Sequence, residues 1–179
     1  MKIRCTLAAM AAMWSVGCAD VGDVTTGAES VSVSANLNPG IAPIGSRPHG
    51  HSYGEWEARW WQWSMQIPAA RDPISDTTGA HCGEGQSGSV WFLAGTWGGT
   101  VRRECTIPTG KALYFPVVNQ IWSQFRTDPP TTLAEMRDFV RTRMRGATVS
   151  ATIDGRPVVG VANYYEETAV FPATFGADN

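Results

Sequence analysis

Asp76, His81, Glu84 and Ser87 lie within one short stretch and are the residue types that hydrolases use as carboxylate, base and nucleophile. An acid, an imidazole and a hydroxyl would suit acyl transfer if the loop folded them together. No nucleophile-elbow pattern surrounds Ser87. Asp76-Thr77-Thr78-Gly79 departs from the aspartic-protease Asp-Thr-Gly by one inserted residue, which breaks the turn that would present the carboxylate. An Asx-turn is the simpler expectation for Asp76. Asp76, His81 and Ser87 therefore stand as catalytic candidates without a complete pattern around them.

Two further patterns suggest ligands. His49-Gly50-His51 followed by Glu55 has the spacing of the first metal motif of cupins, and Pro108-x-Gly110 echoes the second. The second-motif histidine would fall at Leu113, and Glu55 is better placed as a helix cap. A metal needs several convergent ligands. His49 and His51 are thus candidates without a full set, and no metal or other cofactor is expected. Gly83-Glu84-Gly85-Gln86-Ser87-Gly88 matches G-x-G-x-x-G, but a dinucleotide site needs that motif between a strand and a helix. Here it leads from a loop into a strand, so a tight turn is expected.

These residues are positioned by a mixed set of elements. Ser52 and Glu55 form an S-x-x-E capping box, and Trp56, Trp60, Trp63 and Ile67 recur at helical spacing until Pro68. Trp61 falls off that stripe and Trp97 sits at a turn, so both are candidates for stacking on a sugar ring. Segments 90–94, 100–107 and 111–118 read as strands joined by turns, an antiparallel meander. Thr132 and Glu135 cap a second helix, 133–144, with Leu133, Met136, Val140 and Met144 on one face. Segments 147–153 and 156–162 flank Asp154-Gly155, which suits a type I′ hairpin turn. Segment 169–175 reads as a last strand. The expected class is mainly β with two helices (α+β), an antiparallel β-sandwich-like domain with an unfinished C-terminal side.

Location is the clearest reading. Lys2 and Arg4 precede an apolar run from residue 5 to 16, and Gly17-Cys18 closes it. A basic start, a short apolar core and a small-residue end are the layout of a secretory signal. Val16-Gly17-Cys18 resembles a lipobox with Ser15 in place of the usual Leu, making Cys18 the expected lipid anchor; removal of Cys18 with the leader is the alternative. Residues 1–18 are thus a leader, 19–48 a disordered polar tether and 49–179 one β-rich domain. Of the remaining cysteines, Cys82 and Cys105 are an isolated pair, which in an exported chain reads as a disulfide. Closing a loop of that length stabilises by roughly 3 kcal/mol on the chain-entropy model.

The chain carries 14 basic and 16 acidic residues. Without Lys2 and Arg4 the balance falls from −2 to −4. No basic stripe interleaves with aromatics, which argues against nucleic acid. Arg137, Arg141 and Arg145 share a helix face, but Glu135 and Asp138 interleave and make it a solvated face.

Several strings in residues 52–179 resemble a family of uncharacterised exported bacterial proteins. They are Tyr53-Gly54-Glu55-Trp56, Trp60-Trp61-Gln62-Trp63, Asp76-Thr77-Thr78-Gly79, Val90-Trp91-Phe92-Leu93-Ala94-Gly95-Thr96 and Gly110-Lys111-Ala112-Leu113-Tyr114-Phe115-Pro116. The resemblance implies export and further strands beyond residue 179, but no activity. The function expected is an exported, membrane-anchored envelope protein that acts by binding a glycan or another envelope protein. The alternative is a secreted hydrolase with its site near residues 76–88.

Overall fold

The computed structural model describes residues 2–4, 38 and 40–178, with only the backbone path given for 2–4. Cys18, the apolar run before it and a weak strand expected at residues 31–35 lie outside the described residues.

Helix α1 spans Tyr53–Gln66 and starts on the expected capping box. Ser52 Oγ accepts from the Glu55 N–H at 3.2 Å, and Glu55 Oε2 accepts from the Ser52 N–H at 2.6 Å. Trp, Tyr, Ser and Gly are mediocre helix formers, each costing a few tenths to about 1 kcal/mol relative to Ala. Burial outweighs that. Trp60, Trp61 and Trp63 are all 7% exposed or less, and withdrawing about 200 Å² of each indole from water contributes roughly 5 kcal/mol apiece before entropy.

The helix is covered on more than one side. The Trp60 indole N–H donates to the Leu93 carbonyl at 2.9 Å and that of Trp63 to the Glu84 carbonyl at 2.8 Å. From the distant C-terminal segment, Pro172 O accepts from Gln62 Nε2 at 2.9 Å, and the Gly176 N–H donates to Met65 O at 2.8 Å. Ile67 and Ile74 complete the core, with Phe92, Tyr114, Ile121 and Phe171 packed against it.

The strands are short. They are β1 (Lys2–Arg4), β2 (Val90–Phe92), β3 (Glu104–Thr106), β4 (Ala112–Tyr114), β5 (Thr152–Ile153) and β6 (Arg156–Pro157). Among the described residues they make three two-stranded sheets, so the fold is mixed α+β. The expected antiparallel meander is not formed. β2 and β4 pair in parallel, with Val90 opposite Ala112 and Phe92 opposite Tyr114, and β3 is displaced to pair antiparallel with β1. Three ties draw β3 away. They are the Cys82–Cys105 disulfide, the Glu104 N–H to Thr78 O bond of 3.1 Å, and the Arg103 side chain. The intervening chain doubles back, and β4 re-enters beside β2 in the same direction. Segment 169–175, expected as a strand, joins no strand; Pro172 O accepts from Gln62 on α1, and Gly176 and Ala177 just after it bond to Met65 O and the Ala69 N–H.

The hairpin and the second helix form as read. Asp154 and Gly155 both have positive φ, 51° and 78°, between β5 and β6. Helix α2 spans Leu133–Met144 on the Thr132–Glu135 capping box, but it buries no residue. The tether is shorter than its composition suggests. Asn38 is buried, donates to Val159 O at 2.9 Å and accepts from the Val159 N–H at 2.7 Å, while Ala42 O accepts from the Tyr53 hydroxyl at 2.7 Å. Asn38 and Ala42, in the stretch expected as tether, thus hydrogen-bond to the residues expected as the domain. No helix among the described residues is long and apolar enough to cross a membrane.

Candidate functional site

The loop that held the hydrolase candidates is built for support. The Asp76 carboxylate accepts from the Thr78 N–H and hydroxyl at 2.7 Å each, and from the Gly79 and His81 N–H groups at 2.9 Å each. Burial pushes this carboxyl up, but those hydrogen bonds outweigh it and bring it down to about 2. Asp76 thus meets the His81 backbone. Among the described residues no hydrogen bond or ion pair joins the His81 imidazole to Asp76 or Ser87, and Ser87 stands exposed. Glu84 pairs with Arg71 at 2.9 Å. The triad is not assembled, since four donors already occupy its acid.

The glycine-rich stretch serves the core. Gly85 has φ +60°, and a Cβ there would stand 3.2 Å from the Trp63 ring. Gln86 next to it mimics a strand neighbour. Its Oε1 accepts from the Phe92 N–H at 2.9 Å, and its Nε2 donates to Phe92 O at 2.8 Å, which closes the free edge of β2.

The histidines diverge. His49 Nδ1 pairs with Ser89 Oγ at 3.0 Å, whereas His51 packs edge-on to Trp56 and lies 3.9 Å from Glu55. Glu55 is taken by its cap and by Arg47 at 2.8 Å. Among the described residues no three His, Cys, Asp or Glu side chains converge as a metal site.

Trp61 requires a correction. It is 5% exposed and belongs to the core, because α1 is covered on the side that the stripe left open. It cannot form a surface platform with Trp97. Trp97 is 71% exposed and donates to Ser75 Oγ at 3.2 Å.

The group that sequence reading missed is Glu57. It lies one turn after Tyr53 and one turn before Trp61, inside the aromatic side of α1. A carboxylate in such a row is the signal that could have found it. Tyr114 on β4 donates its hydroxyl to Glu57 Oε2 at 2.9 Å, and Asn119 Nδ2 donates to Oε1 at 3.2 Å. Burial raises the Glu57 carboxyl above its ordinary range. The Tyr114 and Asn119 bonds, with a smaller pull from the Trp61 indole, offset this only in part. Among the described residues no Lys, Arg or His forms an ion pair with it. Burial first, then the Glu57 charge, also pushes Tyr114 far above the usual phenol range, so it remains a donor. Burial raises Tyr53 to about 12, with Tyr164 adding to it.

Tyr53, Trp56, Glu57, Trp61, Tyr114 and Asn119 all line one groove of about 1840 Å³ between α1, β4 and the C-terminal half. That exceeds the roughly 300–1,000 Å³ of a pocket for a compact ligand. The Trp56 and Tyr114 rings lie 6.4 Å apart and tilted by 34°. Aromatic faces, a buried acceptor and an amide in an elongated groove can hold a chain-like ligand that carries both apolar faces and polar edges. No protein-family model, no curated protein and no solved structure matches the chain.

Proposed function

We propose that this chain is an exported, lipid-anchored envelope protein that acts by binding, and that a glycan is the ligand of the groove above α1. The observation that carries the reading is Glu57, half-buried and, among the described residues, without an ion pair, beside tyrosine and tryptophan rings. Sugars present apolar CH faces that stack on aromatic rings and hydroxyl edges that need fixed acceptors and donors. The leader-like start, Cys18 and the resemblance to exported bacterial proteins support an envelope location, and the Cys82–Cys105 disulfide suits an oxidising compartment. Removal of the leader would take β1 with it, leaving β3 tied by that disulfide and by Arg103. An antiparallel sandwich, which would need further strands beside the present two-stranded sheets, belongs to the same proposal.

The test is a titration of the protein with soluble peptidoglycan fragments and chito-oligosaccharides, followed through the tryptophan indole N–H resonances. Trp56 and Trp61 should shift, and Trp97, outside the groove, should not. No shift at millimolar sugar, or a shift confined to Trp97, would overturn the assignment. For the anchor, Cys18→Ser should move the protein from the membrane to the soluble fraction, and unchanged partition would sink lipidation.

One observation favours the second partner class, an envelope protein. Val118, Phe125, Val159, Tyr165 and Val170 are exposed large side chains in the C-terminal half, and exposed apolar surface can mark contact sites. All but Val159 line the same groove, so a protein seated there would be displaced by Val170→Glu and would compete with sugars.

A further inference from the structure

Resting on the glycan reading, we infer that the sugar accepted at Glu57 carries a free ammonium group, placed on the Glu57 carboxylate with its ring against Trp56. Three observations converge on this.

The first is the acceptor's state. An ionised carboxylate offers about four lone-pair sites. Tyr114 fills one on Oε2 and Asn119 one on Oε1, and the Trp61 indole adds a weaker contact; all three are neutral donors. They satisfy hydrogen bonding in part and leave the charge uncompensated. A carboxylate half withdrawn from water without a counter-ion carries part of the cost of a buried charge. A hydroxyl would add a hydrogen bond; only a cation cancels the charge.

The second is the surrounding wall. Tyr53, Trp56, Trp61 and Tyr114 line the same groove, and the faces of such rings attract cations. Trp56 already takes one from outside, since the Arg59 guanidinium sits 5.8 Å from its ring centre. Glu166 adds negative charge near Tyr114, while Arg137 and Arg141 are drawn to Glu167.

The third is the donor set. One carboxylate with a phenol and an amide does not make a site for a hard divalent cation, which takes six or more oxygens. Among the described residues no second acid joins Glu57 to build one. An organic ammonium needs only one carboxylate and aromatic walls.

The experiment compares glucosamine oligomers with N-acetylglucosamine oligomers of the same length on the full chain in about 0.3 M salt, where exposed charges are screened. Lysine oligomers of equal charge serve as competitors. The free-amine form should bind at least tenfold more tightly. In Glu57→Gln that preference should vanish, whatever binding of the acetylated form remains; where that variant fails to fold, Glu57→Asp should keep a reduced preference. Equal binding of both forms overturns the ammonium inference and leaves the glycan reading intact. Binding of neither overturns both. A preference that survives Glu57→Gln, or competition by lysine oligomers, also overturns the inference, because the amine is then read elsewhere.

Discussion

Arg103 holds together the loops beneath the groove, and its removal should cost more than any surface charge. Its guanidinium donates to four carbonyls on two separate segments. Nη2 reaches Ile74 O at 2.7 Å, Nε reaches Asp76 O, and Nη1 reaches Ala94 O at 2.9 Å and Gly95 O at 2.6 Å. Burial lowers its pKa, with the Asp76 and Asp72 charges opposing, so the bonds are made by a partly desolvated cation. A hydrogen bond to a charged group contributes about 1.5–3 kcal/mol. Four would give an unrealistic total, because the half-buried carbonyls recover water once the side chain is gone. For Arg103→Met we expect a loss of about 3–5 kcal/mol, the range for breaking a buried ionic network.

Urea unfolding followed by tryptophan fluorescence measures this directly. With a slope of about 2 kcal/mol per molar, the midpoint should fall by about 1.5–2.5 M. Arg103→Lys should recover no more than about half, since an ammonium cannot fork across two loops. The Cys82–Cys105 disulfide also ties the β3 region to the loop that follows Ile74, so Arg103→Met combined with Cys82→Ser and Cys105→Ser should lose more than the separate effects added, by about 1 kcal/mol or more. A loss under about 1 kcal/mol for Arg103→Met, the size of an exposed pair, would refute the reasoning. It would mean that water replaces the guanidinium at little cost.

Trp91 is the one buried side chain among the described residues whose polar atom, Nε1, has no partner. Trp91→Phe discards that liability of about 1–3 kcal/mol along with some packing, and should leave thermal stability within about 1 kcal/mol of wild type. Trp60→Phe, which leaves the Leu93 carbonyl without its donor, should cost about 2–4 kcal/mol in the same assay. Gly79 has φ +96°, and a Cβ there would run into the Glu104 carbonyl; Gly79→Ala should cost about 2–4 kcal/mol, against about 1 kcal/mol for Gly88→Ala at φ +66° with open space around it. Asp76 is held down to about 2, so its contribution is complete above the ordinary carboxylate range and is lost as pH falls toward 2. Discounted for solvent screening it amounts to about 1–2 kcal/mol, and Asp76→Asn should flatten the acid limb of stability against pH.

What was legible in the sequence was local. Both helices start on capping boxes whose partners are three residues apart, and the Asp154-Gly155 hairpin is set by two adjacent backbone angles. Neighbouring residues carry that information. Strand direction is not of this kind. A compact apolar run marks 90–94 as a strand and flanking turns mark 111–118, but these signals are the same for parallel and antiparallel pairing. Only the ties on Arg103 and Cys105 decide where the chain between them goes. Trp61 fails for a related reason. It lies off the main helical stripe, yet it belongs to a core against which Ile121 and Phe171, sixty and more residues away, are packed. Glu57 was visible as a charge in an aromatic row, but its meaning depends on Tyr114 and Asn119, which no local pattern connects to it.

The same contrast between local and distant ties bears on how the groove works. Every residue buried below 9% exposure in the described chain lies at or before Ile107. Residues 108–178 are attached by the pairing of β4 with β2, by Tyr114, Ile121 and Phe171 packed against the core, and by hydrogen bonds: Tyr114 and Asn119 on Glu57, Pro172 on Gln62, Gly176 on Met65, and Val159 on Asn38. One side of the groove is therefore a packed tryptophan core, while the other is held by one short strand pair, a few half-buried side chains and hydrogen bonds. Two of those bonds end on Glu57, which has no ion pair among the described residues. On the proposed function, a ligand that neutralises Glu57 would act where α1 meets the C-terminal half, so binding there and the hold on that half would be linked.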